Sequence, residues 1–295
     1  MKVAAGRVLA HVPCNLCGRE VTRGVHNISR LVECLNCGLI FVNPRPDFSE
    51  LSHLYEDSYF HCAQPTFGGY EDYEGDHDDI LRTFRRRIAR ITPLLATNRP
   101  QHLDVGCATG IFLEAATQSG WQTLGIDISS YALERARAKG FHVERGSLPG
   151  LALPEGSFDV ITMWDLFEHV PDPASLLTAC HRLLKPGGVL AISTPDAGSF
   201  AARLLRGKWL GFRCIDEHLY FFSRLTITQM LTAANFAVRD IHAVGKYLSL
   251  PRMIARLRFY TRIGALLLQS MDRLVPNVSM HVSSGDTMCV LAVRS

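Results

Sequence analysis

The segment His102-Leu-Asp-Val-Gly-Cys-Ala-Thr-Gly-Ile-Phe-Leu113, followed by Leu124-Gly-Ile-Asp127, constrains this chain more than any other. An apolar run ends in a glycine-rich turn, a helical pattern follows, and a second apolar run ends in an acid. That order is a βαβ unit that lets a ligand approach the backbone and places a carboxylate opposite vicinal hydroxyls. It fits an adenosine-containing cofactor. Gly106 and Gly110 supply the close approach, and Asp127, with Ile128 beside it, is placed to accept from both ribose hydroxyls.

The spacing separates one cofactor from another. A dinucleotide loop would place glycine at 106, 108 and 111, whereas the chain has Gly106, Ala108 and Ile111, with Gly110 one residue early. This Gly-x-Ala-x-Gly form, with Asp104 at the strand end, resembles motif I of class I S-adenosylmethionine (SAM) methyltransferases. The resemblance implies that Asp104, Gly106, Cys107, Ala108, Gly110, Asp127 and Ile128 surround SAM. The Cys107 thiol has no acid–base partner adjacent to it. Like Cys180 and Cys289, it reads as a small buried hydrophobe.

With 295 residues, 47% of them hydrophobic, the chain can bury one large core and a small appendage. A net charge of +3 is close to neutral for this size and argues against a nucleic-acid binder. Residues 1–13 lack a long apolar stretch, and no run of about 18 uncharged apolar residues occurs. The expectation is a soluble, cytoplasmic protein with no membrane span.

Four of the nine cysteines form two pairs, Cys14-Asn-Leu-Cys17-Gly and Cys34-Leu-Asn-Cys37-Gly, sixteen residues apart. Each is a tight knuckle that aims two sulfurs at one point, and two knuckles complete a closed tetrahedral site for structural Zn2+. Two disulfides are the alternative, which a cytosolic setting disfavours. Between Cys14 and Arg45 stand four Arg and no Lys, so a stabilising or substrate-adjacent ribbon is favoured over RNA binding.

Residues 1–45 therefore read as a zinc ribbon and 46–77 as a linker or lid. There Tyr70 and Tyr73 either pack a joint or close over the cofactor and exclude water. From Asp78 to Leu95, the spacing of Ile80, Leu81, Phe84, Ile88 and Ile91 predicts one helix, with Arg85-Arg86-Arg87 on its exposed side, a solvated face being favoured over phosphate binding. Residues 78–295 then alternate strand and helix, as a doubly wound sheet requires.

In this fold, the loop after the third strand contacts adenine. The chain has Ser147 and Leu148 there, where relatives carry an acid. The strand Phe158–Trp164 precedes Asp165-Leu-Phe-Glu168-His169-Val-Pro-Asp-Pro173, and Leu184-Lys-Pro-Gly-Gly-Val-Leu-Ala-Ile-Ser-Thr-Pro195 announces the fifth strand. This passage resembles small-molecule methyltransferases, particularly the ubiquinone-pathway O-methyltransferases, over roughly residues 78 to 240. Trp164 is placed beside the cofactor.

Spacings of three and four bring Asp165, Glu168 and His169 to one side of a helical turn. His169 then serves as base toward an acceptor hydroxyl, or, as the resemblance suggests, the trio binds a divalent cation such as Mg2+; otherwise His169 only fixes the helix start. The run Trp209 to Ser223, with Glu217-His218-Leu-Tyr-Phe-Phe, looks like zinc-ribbon methyltransferases of surface-polysaccharide and secondary-metabolite pathways and makes His218 a second base candidate.

Insertions are expected at about 197–224 and 250–280, the second an amphipathic segment that packs on the core or on a homodimer mate. The fold implied is a Rossmann-like, seven-stranded class I methyltransferase sheet with an antiparallel last strand, plus the ribbon. The function implied is methyl transfer to oxygen, or carbon, of a small molecule. The rivals are an RNA or protein methyltransferase docking through the ribbon, and a non-catalytic partner protein of the same fold.

Overall fold

The two Cys-x-x-Cys-Gly turns organise the amino-terminal part of the computed structural model, which describes residues 9–46, 75–215, 217–251, 253 and 278–295. Strands β1 (Leu9–Ala10) and β5 (Arg45–Pro46) pair antiparallel, and β2 (Thr22–Gly24), β3 (Leu31–Cys34) and β4 (Ile40–Val42) form a small meander. Tyr70, Tyr73 and the rest of the expected lid lie outside the described residues.

The larger part of the chain begins with α1 (His77–Ile91), close to the expected span. Then come β6 (Gln101–Val105), α2 (Ile111–Gln118), β7 (Gln122–Asp127), α3 (Ser130–Ala138), β8 (Val143–Arg145) and β9 (Phe158–Trp164). They are followed by α4 (Pro173–Leu183), β10 (Leu184–Pro195), α5 (Phe200–Leu205), β11 (Tyr220–Phe221), α6 (Arg224–Ala233) and β12 (Phe236–Ala243). A hairpin of β13 (Lys246–Ser249) and β14 (Ser279–Val282) precedes the last strand, β15 (Thr287–Arg294). Most of the expected 250–280 insertion is outside the described residues.

Seven strands form the sheet in the order β12-β15-β10-β9-β6-β7-β8. The last strand, β15, runs antiparallel between β10 and β12, as the closing segment predicted. The central strands are buried on both faces, which is why they read as continuous apolar runs rather than alternating ones. Parallel neighbours need crossovers, so the turns that follow β6, β7 and β9 lie at the same edge of the sheet.

One expectation about α1 fails. Arg87 is buried, 6% exposed, while Arg85 and Arg86 face solvent. Arg87 lies three residues after Phe84 and four before Ile91, so it shares their inward face. Its guanidinium stacks on Trp164 and Phe84, and its NH1 donates to Ser193 Oγ at 3.1 Å.

The ribbon and the core share a sheet. Strand β11 pairs with β4, giving the order β11-β4-β3-β2, with Tyr220 opposite Phe41 and Phe221 opposite Ile40. Phe41, Tyr220, Phe221 and Phe222 are fully buried. Burying each such ring stabilises by roughly 1.5–3 kcal/mol, more than the roughly 1 kcal/mol net of a backbone hydrogen bond. Side-chain burial therefore holds the junction. Its polar seam is specific: Arg45 donates to the Tyr220 hydroxyl and to the Pro171 carbonyl, and Asn15 donates to Asp172 while accepting from the Ala174 amide.

Candidate active site

The turn after β6 is bound to the end of β7. The amides of Gly106 and Cys107 donate to the Ile126 carbonyl at 2.8 and 3.1 Å. One Asp127 oxygen accepts from the Ala108 amide and the other from the Ser129 amide, both at 2.9 Å. Burial raises the Asp127 carboxyl above its ordinary value, and those amides oppose the shift.

The loop fits the adenosyl cofactor that the resemblance implies. Gly106 is left-handed (φ 76°), and a Cβ there would stand 3.1 Å from Leu166, filling the cradle. Gly110 (φ 85°) could not carry a Cβ either, because it would meet the Phe141 ring at 2.8 Å. Each Asp127 oxygen uses one lone pair on an amide and keeps another for a hydroxyl. Asp127→Ala is expected to weaken S-adenosylhomocysteine binding about 10²-fold, since two charge-assisted hydrogen bonds of about 1.5 kcal/mol or more disappear. Calorimetry checks this.

Asp104 and Cys107 support the loop from inside. Asp104 is 1% exposed and accepts from the Thr162 hydroxyl at 2.6 Å, and burial pushes its carboxyl up to about 8. Thr162 has given its proton to Asp104, so the His102 ring donates to Thr162 through Nε2 at 2.8 Å. Burial raises the Cys107 thiol well above its ordinary value, as expected of a core group rather than a nucleophile. Ser147 is exposed and Leu148 buried in the loop after β8, whose Gly146 amide donates to the Asp127 carbonyl. Ile128 is half-buried next to Asp127, and the Trp164 ring packs between Phe84, Phe112 and Arg87.

At the ends of β9 and β10 the structure divides the expected trio. Asp165 adopts φ 51°, a conformation aspartate tolerates better than most residues, and its amide donates to Ser193. Its carboxylate accepts from Ser193 Oγ at 2.7 Å and from Lys246 Nζ at 2.8 Å. Burial alone would raise it, but Lys246 and Arg87 hold it well below the usual carboxylate range. Lys246 comes from the hairpin beyond β12, and no motif announces it.

Glu168 and His169 lie on a single 3-10 turn, Phe167–His169, and both are buried. His218 joins them from the segment before β11, its ring edge-on to His169 with centroids 4.6 Å apart. The His169 Nδ1 stands 3.0 Å from the Glu217 carbonyl, which can only accept. Nδ1 therefore carries the proton and Nε2 the lone pair. Burial pulls the His169 imidazole down to about 4, against the Glu217 carbonyl, and lowers His218, which the neighbouring His169 depresses further. Burial and the Asp165 charge push Glu168 up to about 8.

A Mg2+ ion held by Asp165, Glu168 and His169 does not fit this arrangement. Asp165 is committed to Lys246 and Ser193, and the atoms that converge within 4.8 Å belong to Glu168, His169 and His218. Two imidazoles and one carboxylate are a poor donor set for a cation that takes oxygen. The half-exposed Lys246–Asp165 pair should contribute little to stability, so Lys246→Met is expected to change it by no more than about 1 kcal/mol. Chemical denaturation checks this.

The four cysteines of the knuckles do converge. All four sulfurs lie within 4.8 Å of one another, with Cys14–Cys37 and Cys17–Cys34 at 3.5 Å. A disulfide needs about 2.05 Å, whereas sulfurs around tetrahedral zinc stand roughly 3.8 Å apart.

Comparison with known proteins bears on the family and the fold. A methyltransferase domain family matches residues 77–241. A ubiquinone biosynthesis O-methyltransferase of Albidiferax ferrireducens is 37% identical over 134 residues, covering 42% of this chain and 52% of the relative. Its counterpart in Methylococcus capsulatus is 44% identical over 139 residues, covering 43% and 59%. The chain thus matches little more than half the length of these curated relatives. An SAM-dependent methyltransferase from Archaeoglobus fulgidus superposes with a TM-score of 0.51 at 18% identity, over 75% of this chain and 100% of that one, which speaks to the fold. With its βαβ cradle, its antiparallel last strand and a domain match over more than half its length, the chain belongs to the methyltransferase domain family, in the class I SAM-dependent form.

Proposed function

We propose that the chain transfers a methyl group from SAM to an oxygen of a small-molecule acceptor, with an acceptor carbon as the other option. The observation that carries this reading is the neutral His169, whose Nδ1–H is given to the Glu217 carbonyl so that Nε2 keeps its lone pair. It stands at the carboxyl ends of the strands, where open α/β sheets bind their ligands.

When bound, the cofactor supplies a methyl on a sulfonium, reactive enough that the protein need form no covalent bond to either partner. Asp127 and the 106–110 loop bind and orient the cofactor, and His169 Nε2 takes the acceptor proton. Glu168, protonated up to about pH 8, places no second negative charge beside the imidazole. Asp165, held by Lys246, Ser193 and Arg87, fixes the backbone that presents this turn.

The four cysteines would hold a structural Zn2+, closed to catalysis because no coordination position stays open. Asn15 and Arg45 spend their hydrogen bonds on the core, which favours a ribbon that braces the acceptor side over one that docks RNA or protein. The relatives named for ubiquinone biosynthesis make quinol-like hydroxyls reasonable acceptors, alongside sugars and secondary metabolites. Among the described residues, no helix is long and apolar enough to cross a membrane.

The test is incubation with labelled SAM and a panel of phenols, quinols, sugar nucleotides, tRNA and protein. Label in a small molecule is expected. Label appearing only in RNA or protein would overturn the reading, and cofactor binding with no turnover on any acceptor would favour the non-catalytic partner.

A further inference from the structure

A groove of about 250 Å³ lies between α1 and the start of the β13–β14 hairpin, and no residue of the 106–110 loop lines it. Arg86, Arg87 and Arg90 line one wall, and His242 and His281 the other. The facing carboxylate is Asp240, 3.8 Å from Arg90 and 2.7 Å from His242. Among the described residues no carboxylate pairs with Arg86. Three guanidiniums thus meet one acid, an excess of positive charge in a concave wall that focuses its field.

Arg87 supplies an independent observation. It is 6% exposed, and its Nε is buried without a hydrogen-bond partner. Leaving such a donor unmade is costly, and the side chain that carries it lines the groove with that donor unsatisfied. The same guanidinium reaches Ser193 Oγ, which in turn donates to Asp165. Arg87 therefore spans from the groove to the end of the sheet where the reaction is placed. The groove is smaller than the roughly 300–1,000 Å³ that holds a whole drug-sized ligand, so it seats a headgroup.

We propose that this groove is a phosphate subsite, taking the phosphate of a phosphorylated small-molecule acceptor whose remainder extends past Arg87 toward Asp165. Guanidiniums suit such a group because their planar forks match its oxygens bidentately. The proposal rests on the methyltransferase reading for the acceptor's role, while phosphate binding itself does not depend on it.

The full chain, saturated with S-adenosylhomocysteine, is titrated calorimetrically with inorganic phosphate and with phenyl phosphate at constant ionic strength. One saturable site is expected, weakened at least tenfold in the Arg86→Gln/Arg90→Gln variant, with S-adenosylhomocysteine affinity unchanged. Absence of saturable binding by the wild type, or equal binding by the variant, would overturn the subsite. Sedimentation with phosphatidic acid vesicles separates the sources: capture lost in the variant, with no binding of either soluble phosphate, would also overturn it in favour of a lipid headgroup. Loss of S-adenosylhomocysteine binding in the wild type would instead strike the cofactor reading, so the two failures are distinct.

Discussion

His169→Ala is expected to lower turnover by about 10²–10⁴-fold while S-adenosylhomocysteine binds with nearly unchanged affinity. On the proposed reading the imidazole faces the acceptor, and the cofactor cradle is built from other residues, Asp127 and the 106–110 turn. A parallel tenfold or greater loss of cofactor binding would contradict the assignment. The pH profile sharpens the test. The folded imidazole is lowered from 6.5 to about 4, so it remains a base well below the ordinary histidine range. The acid limb of turnover should then fall near pH 4 to 5, and a limb at 6.5 would count against His169. The same shift links to stability: the neutral, buried ring contributes stability present above 6.5, which is lost as pH falls toward 4. Glu168 has the opposite sign, its folded value raised from 4.5 to about 8, so its contribution fades as pH rises through that interval.

If the four cysteines hold zinc as proposed, removing it should have an even larger effect. Structural Zn2+ contributes on the order of 10–16 kcal/mol in small zinc-finger peptides, comparable to the whole stability of a domain. A chelator, or Cys34→Ser, is expected to abolish turnover and lower the melting temperature, with S-adenosylhomocysteine still bound by the core. The route is short. Strand β11 rests on β4, the Leu219 amide donates to the Glu168 carbonyl, and the Glu217 carbonyl fixes the His169 tautomer. Releasing the knuckles frees β4, then β11, then the histidine. Metal analysis, activity and calorimetry on one preparation decide it: zinc-free protein with full turnover would sink the idea.

The sheet was legible because its signals are local. The 106–110 turn, Asp127 at a strand end and the apolar run 158–164 each carry their meaning within a few residues, and the strands form where they predict. The two Cys-x-x-Cys knuckles were legible for the same reason, since ligand spacing is a property of a short turn. The cluster at the ends of β9 and β10 was less so. Asp165, Glu168 and His169 look like one cluster by spacing, but the left-handed backbone at Asp165 swings its carboxylate to Lys246, eighty-one residues away. His218 replaces it beside Glu168 and His169 through the pairing of β11, which only the folded chain reveals. Arg87 is a different case. Its helical spacing to Phe84 and Ile91 places it inward, and grouping it with its neighbours in an arginine run hid that signal.

The strand that the ribbon borrows from the segment before α6 has a practical corollary for protein engineering. The two parts are not interchangeable cassettes. Excising the first forty-six residues to obtain a minimal enzyme would strip β11 of its partner and bare the aromatic rings of Tyr220 and Phe221, an unpaired edge of the kind that recruits other chains and precipitates. A chimera that replaces the segment carrying β11 must therefore bring its own matching ribbon.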